Sequence, residues 1–191
     1  MVDEQPPRRA DAARNRARLL EAARTAFASG ESVALERIAR AAGVGIGTLY
    51  RHFPTREDLV EAIYREELDR LCRSASELLD AAPPEVALRR WMDRFDDYVA
   101  TKHEMGDAVR ALFASGAVKL SHSRRRLTEA VQTILDAGVP AGTLRADVRA
   151  DDIVASVVGA FAATSLEGGR QQRARMLDLL MDAVRAPGLS G

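Results

Sequence analysis

The run Ile38-Ala39-Arg40-Ala41-Ala42-Gly43-Val44-Gly45-Ile46-Gly47-Thr48-Leu49-Tyr50-Arg51-His52-Phe53-Pro54-Thr55-Arg56-Glu57-Asp58-Leu59 holds a helix end, a glycine turn, a short helix, a proline stop and a new helix start. Upstream of the turn, Leu35, Ile38, Ala39 and Ala42 recur at the spacing of one helical face, so a short helix is expected over Leu35 to Ala42. Ala41-Ala42-Gly43-Val44-Gly45 reads as a tight turn. A second short helix is expected from Ile46 to His52, because Pro54 prevents it from continuing. Thr55 is a good N-cap for the next helix, and Glu57 and Asp58 suit the positive end of its dipole. That helix is expected to reach about Leu79, with Leu59, Ile63, Leu68 and Leu71 inward. Before all of these, Asp11 to Ser29 puts Leu20, Ala23 and Phe27 on one face, with Gly30 as its stop. A support helix, a glycine turn and a short exposed helix have the dimensions of a helix-turn-helix unit.

Outward from this stretch the whole chain reads as helices. Of its 191 residues, 47% are hydrophobic and 29% charged, the balance of a soluble globular protein. No sustained alternation of period two is present, and Ala, Leu, Arg and Glu, all strong helix formers, dominate. Pro83 and Pro84 open a helix to about Lys102, followed by helices over Glu104 to Ser115 and Lys119 to Ala137. A loop at Gly138 to Arg149 precedes two more, Asp151 to about Glu167 and Gln171 to Ala186. The expected class is all-α with about nine helices: an N-terminal helix-turn-helix domain, residues 1–54, and a C-terminal helical domain, residues 55–191.

Charge adds a partner only through its distribution. Lys plus Arg equals Asp plus Glu at 28 each, yet residues 1–65 carry 11 Arg against 9 acids. Arg8, Arg9, Arg14, Arg16 and Arg18 cluster around a single acid, Asp11. Such a cluster serves either as a solvated end or as an arm on a phosphate backbone. Arg124-Arg125-Arg126 spreads over most of a helix circumference and reads as solvated surface. One cysteine, Cys72, excludes an internal disulfide and fits a reducing compartment. The polar, Arg-rich N-terminus lacks the apolar core of a signal peptide, and the most apolar stretch, Ile153 to Ala163, is too short to span a bilayer. A cytoplasmic protein without a membrane partner is the expectation.

In the short helix Leu49 faces inward, while Ile46, Thr48, Tyr50, Arg51 and His52 cannot all be buried in so small an element. Exposed Tyr, Arg and His beside backbone-accessible glycine suit phosphate and base-edge contacts. The Ile38–Leu59 run resembles the signature of the TetR family of bacterial transcriptional regulators, and the resemblance covers about the first third of the chain. It implies a homodimer that binds double-stranded DNA at a palindromic operator and acts as a repressor released by a small-molecule effector. By motif position it puts Gly45, Ile46, Gly47, Thr48, Tyr50, Arg51 and His52 at the DNA and Arg56 on a phosphate. Two positions depart from the family's habit: Ala34 stands where Ser or Thr often starts the second helix, and Gly45 where Ser often starts the recognition helix. Both departures remove a hydroxyl able to cap a helix.

Trp91, Phe95 and Tyr98 fall at i, i+4 and i+7 and share a face. With Met105, Phe113 and Phe161 they are the candidate lining of an effector pocket, a lining that doubles as core. The helix after Arg149 is apolar almost all round, so it must be covered on two sides. Ile153, Val157 and Phe161, with Leu177, Leu180 and Val184 of the last helix, are the candidate dimer contacts. The rival readings are a helical enzyme and an interaction module that does not bind DNA. Three scattered His and one Cys supply no nucleophile with its base and no metal-ligand set, so no metal and no cofactor are expected. An interaction module would leave the Tyr50-Arg51-His52 face idle.

Overall fold

In the computed structural model, which describes residues 6–28, 34–164 and 169–187, the described residues form nine α-helices. They are α1 (Pro6–Ala28), α2 (Leu35–Ala41), α3 (Ile46–His52), α4 (Arg56–Ala81), α5 (Pro84–Glu104), α6 (Gly106–Ala114), α7 (Leu120–Gly138), α8 (Ala150–Ala163) and α9 (Gly169–Val184). The bounds follow local chemistry. Prolines occupy the first turns of α1 and α5, where a missing N–H costs nothing. The start of α4 is a reciprocal cap: Asp58 N–H donates to Thr55 Oγ1 at 3.0 Å, and Thr55 N–H donates to Asp58 Oδ2 at 3.0 Å.

The turn after α2 is closed by its own backbone. Val44 N–H donates to Ala39 O and Gly43 N–H to Arg40 O, each at 3.0 Å, while Gly43 sits at φ 66°. That pair of bonds around a left-handed residue is the Schellman stop, and a side chain at Gly43 would be strained there. Several ends differ from the sequence expectation: α1 begins at Pro6 and not at Asp11, and α9 runs from Gly169 to Val184 and not from Gln171 to Ala186. Helix α6 begins at Gly106 because Gly106 adopts φ 40°, which breaks the chain after Met105. Helix α8 ends at Ala163, where Thr164 turns its hydroxyl back onto Ala160 O at 2.7 Å. The expected stops at Gly30 and Glu167 lie outside the described residues.

The chain divides into two compact units: residues 1–66 with 100–118, and residues 67–99 with 119–191. In the first, α1, α2 and α3 pack on one another around Leu19, Leu20, Phe27, Ile38, Leu49 and Phe53. Leu59, Ile63 and Tyr64 of α4 and Met105, Val109 and Leu112 near α6 are buried in the same unit. The beginning of α4 and all of α6 therefore group with the helix-turn-helix in the first unit.

In the second unit α8 packs against both α7 and α9. Its core holds Leu88, Trp91, Met92, Val131, Ile134, Ile153, Val157 and Met181. The segment after α7 is stitched to the end of α9: Arg145 N–H donates to Val184 O at 3.0 Å and Ala186 N–H to Thr143 O at 3.1 Å. Leu144 lies so close over Gly138 that an added Cβ would come within 3.1 Å of Leu144 Cβ.

Candidate nucleic-acid interface

Seven residues of helix leave little to bury, and α3 buries a single side chain, Leu49. Phe53, just past its end, is buried as well. These two anchor the helix and turn its other face outward. Ile46 is 37% exposed and Tyr50 45%. Arg51 is exposed, and Thr48 and His52 are half-buried. Gly45 and Gly47 are exposed, and a Cβ built on either would meet no heavy atom within 4 Å. Neither lies in the left-handed region, so the fold itself does not require glycine at these positions.

Three arginines of this unit border the same elements. The Arg56 guanidinium lies over the Phe27 ring, 5.3 Å from its centroid, and Arg16 lies over Phe53 at 5.5 Å. Arg18 reaches the turn, with Nη1 3.7 Å from where a Cβ on Gly43 would sit. Cation–π contacts of this kind hold a guanidinium in place without neutralising it. Arg16 and Arg18 belong to the N-terminal cluster that composition alone left between arm and solvated end. Their placement depends on how α1 crosses α2 and α3, which no spacing in the sequence reveals. Arg14, by contrast, pairs with Asp11 on the exposed side of α1.

The residues named for a pocket fall into two groups. Trp91, Phe95, Tyr98 and Phe161 are buried together in the second unit, with Phe95 6.0 Å from Trp91, 5.5 Å from Tyr98 and 5.1 Å from Phe161 between centroids. Trp91 Nε1–H donates to Leu71 O at 3.1 Å, which satisfies its one donor. Arg173 stacks on Phe161 at 4.5 Å and pairs with Asp96 at 2.7 Å. Met105 and Phe113 belong to the first unit, where Phe113 meets the edge of Tyr64 at 5.6 Å.

Of the candidate dimer contacts, Ile153, Val157, Phe161, Leu177 and Val184 are covered by the chain's own helices, and Leu180 is half-buried. The outward side of α8 instead includes Asp152, Ala155, Ser156, Val158, Gly159 and Ala162, and that of α9 includes Leu179. Val158 is 46% and Leu179 70% exposed.

Among the described residues no group of three or more His, Cys, Asp or Glu is placed to hold a metal ion. Burial pushes the Cys72 thiol up to about 11, so it stays protonated, with Sγ 3.5 Å from Arg126 O. Among those residues no helix is long and apolar enough to cross a membrane.

A buried-anchor helix that presents mixed apolar and cationic side chains beside bare backbone defines the class of helix-turn-helix DNA-binding proteins. The comparisons are specific to one family of that class. Residues 19–63 match the model of bacterial regulatory proteins of the tetR family, and residues 83–186 match the C-terminal domain of SbtR-like transcriptional regulators. The TetR transcriptional regulator SCO0520 from Streptomyces coelicolor is 46% identical, with 90% of this chain and 99% of that chain covered and a TM-score of 0.78. A TetR transcription regulatory protein from Mycobacterium vanbaalenii is 35% identical, with 94% and 100% covered and a TM-score of 0.72. An HTH-type transcriptional regulator of Staphylococcus aureus (strain USA300) is 41% identical over 63 residues, 32% of this chain. This chain spans only about a third, 34%, of that curated relative's length. The chain belongs to the TetR family of bacterial transcriptional regulators, a regulatory and generally non-enzymatic family.

Proposed function

We propose that the protein is a cytoplasmic repressor without catalytic activity that binds a palindromic operator as a homodimer and leaves it when a small molecule binds. The observation that carries this reading is the outward face of α3. Gly45 and Gly47 leave their backbone bare where the fold does not ask for it, which suits close approach to a phosphate. Ile46, Thr48 and Tyr50 then face base edges, Ile46 best placed for a thymine methyl, while Arg51, His52 and Arg56 take the backbone. DNA binding is assigned to residues 1–54, and effector binding and dimerisation to residues 55–191. The outward small-residue face of α8, with α9, is the proposed dimer surface, because Ala155, Gly159 and Ala162 let a second helix approach closely. The aromatic cluster at Trp91, Phe95, Tyr98 and Phe161, and the Met105–Phe113 group, are the candidate effector contacts.

Selection of genomic fragments by the purified protein tests the reading. Approximate palindromes should be recovered, with half-sites about 34–36 Å apart or at multiples of that spacing, and affinity should fall steeply with salt. Recovery of only unrelated or asymmetric sequences would overturn it.

A further inference from the structure

Lys102 stands apart from the other partly buried bases described from α5 onward. Arg89, Arg126 and Arg173 are also partly buried, and each meets a carboxylate: Asp178 at 2.9 Å, Asp69 at 2.9 Å and Asp96 at 2.7 Å. Lys102 is half-buried near the end of α5 and has no carboxylate within ion-pair distance among the described residues. Its Nζ instead lies 4.8 Å from the centroid of Phe113, whose ring is in turn held edge-on by Tyr64. Burial holds the ammonium below the usual lysine range. A partly desolvated ammonium whose contact among the described residues is a ring face is incompletely compensated, which is the condition an incoming anion relieves.

The surroundings select the kind of anion. Val109 and Leu112 of α6 are buried in the same unit, as are Met105 and Tyr64. His103 is exposed, and Arg110 is exposed and already paired with Asp107. One ammonium over an aromatic ring suits a singly charged acid with an apolar body, not a polyphosphate.

We propose that Lys102 reads the charge of the effector, pairing through Nζ with the carboxylate of a monocarboxylic acid whose apolar part lies against Phe113. This rests on the effector reading above and names the effector's chemical class. Because Lys102, Phe113 and Tyr64 belong to the same compact unit as α3, occupancy here acts on the unit that carries the DNA-binding face.

The chain has only two lysines, Lys102 and Lys119, so protein labelled with ¹³C at lysine Cε gives two assignable signals. The probes are straight-chain acids from acetate to decanoate, benzoate and phenylacetate, each beside its primary amide. At least one acid should shift the Lys102 signal in the full chain, leave Lys119 unmoved and outperform its amide. Lys102→Met should weaken that acid about ten-fold or more, while Lys102→Arg retains much of the binding. Acids that all leave Lys102 unmoved, amides that match them, or a Lys102→Met protein that binds the acid unchanged would each overturn the assignment. Operator release, measured in parallel by fluorescence anisotropy, separates the two readings. An acid that binds at Lys102 but never releases DNA supports the site and counts against the effector reading. Release by neutral compounds that ignores Lys102→Met supports the effector reading and overturns this site.

Discussion

Helix α3 and helix α8 are both left partly uncovered, and what they leave uncovered differs. Helix α3 buries Leu49 alone and shows Ile46, Tyr50 and Arg51 beside the exposed Gly45 and Gly47. Helix α8 buries six residues and shows Ala155, Ser156, Val158, Gly159 and Ala162, a surface of mostly small side chains. Varied chemistry with donors and a cation can discriminate among partners that differ in polar groups. A smooth small-residue surface discriminates little but permits backbones to pack closely, as a second copy of the same helix would require. The contrast is between a proposed surface for reading and a proposed surface for packing.

The harshest test of the packing surface is a charge at its centre. Val158→Glu should convert the dimer to monomer, since an unpaired carboxylate buried there costs several kcal/mol per copy. Sedimentation velocity reads the outcome, and a variant that remains dimeric moves the interface off this face. On α3, Leu49→Ala should destabilise the protein by about 2–5 kcal/mol through the cavity it leaves. Tyr50→Ala on the same helix should leave the melting temperature nearly unchanged and weaken operator binding. If both substitutions lower melting alike, α3 has no separate reading face.

The third comparison divides labour within α3. Ile46→Ala should relax preference at one or two base pairs, at about 1–3 kcal/mol, whereas Arg51→Ala should weaken all sequences alike and make the salt slope shallower by about one unit. Selectivity profiles that coincide for the two variants would remove that division. The smallest effect concerns α2. Ala34 is its N-cap, extended at φ −67° and ψ 138°, with no side-chain cap bond. Ala34→Ser should add about 0.5–2 kcal/mol of stability and, through the same hydroxyl, tighten DNA binding without changing base preference. Calorimetry and anisotropy together check it, and a gain in melting without a gain in affinity would reduce the hydroxyl to a cap.

The DNA-facing half was legible in sequence because its signals are local. Helix α3 ends where Pro54 and its fixed geometry demand, Thr55 caps α4, and Gly43 closes the turn that only a left-handed residue permits. Leu49 and Phe53 take the inward positions, which leaves Ile46 and Tyr50 outside by elimination. The packing half was less legible. A helix apolar all round announces that both sides are covered and is silent about which side faces its own chain. Ile153, Val157 and Phe161 fill the chain's own core, while Val158, of the same type as Val157, is left outside. Gly106 likewise gives no sequence sign that α6 starts there and not at Glu104.

The sequence alone determined the helical class, the helix-turn-helix and the residues on its outward face. Helix period, caps and turn stereochemistry act over a few residues, and their signatures are written in order along the chain. Tertiary structure alone decided the rest: that Arg16 and Arg56 lie over Phe53 and Phe27, that Lys102 meets the Phe113 ring, and which side of α8 is left open. Each of these depends on groups far apart in sequence meeting in space, where burial and charge compensation are settled by the neighbours that packing supplies.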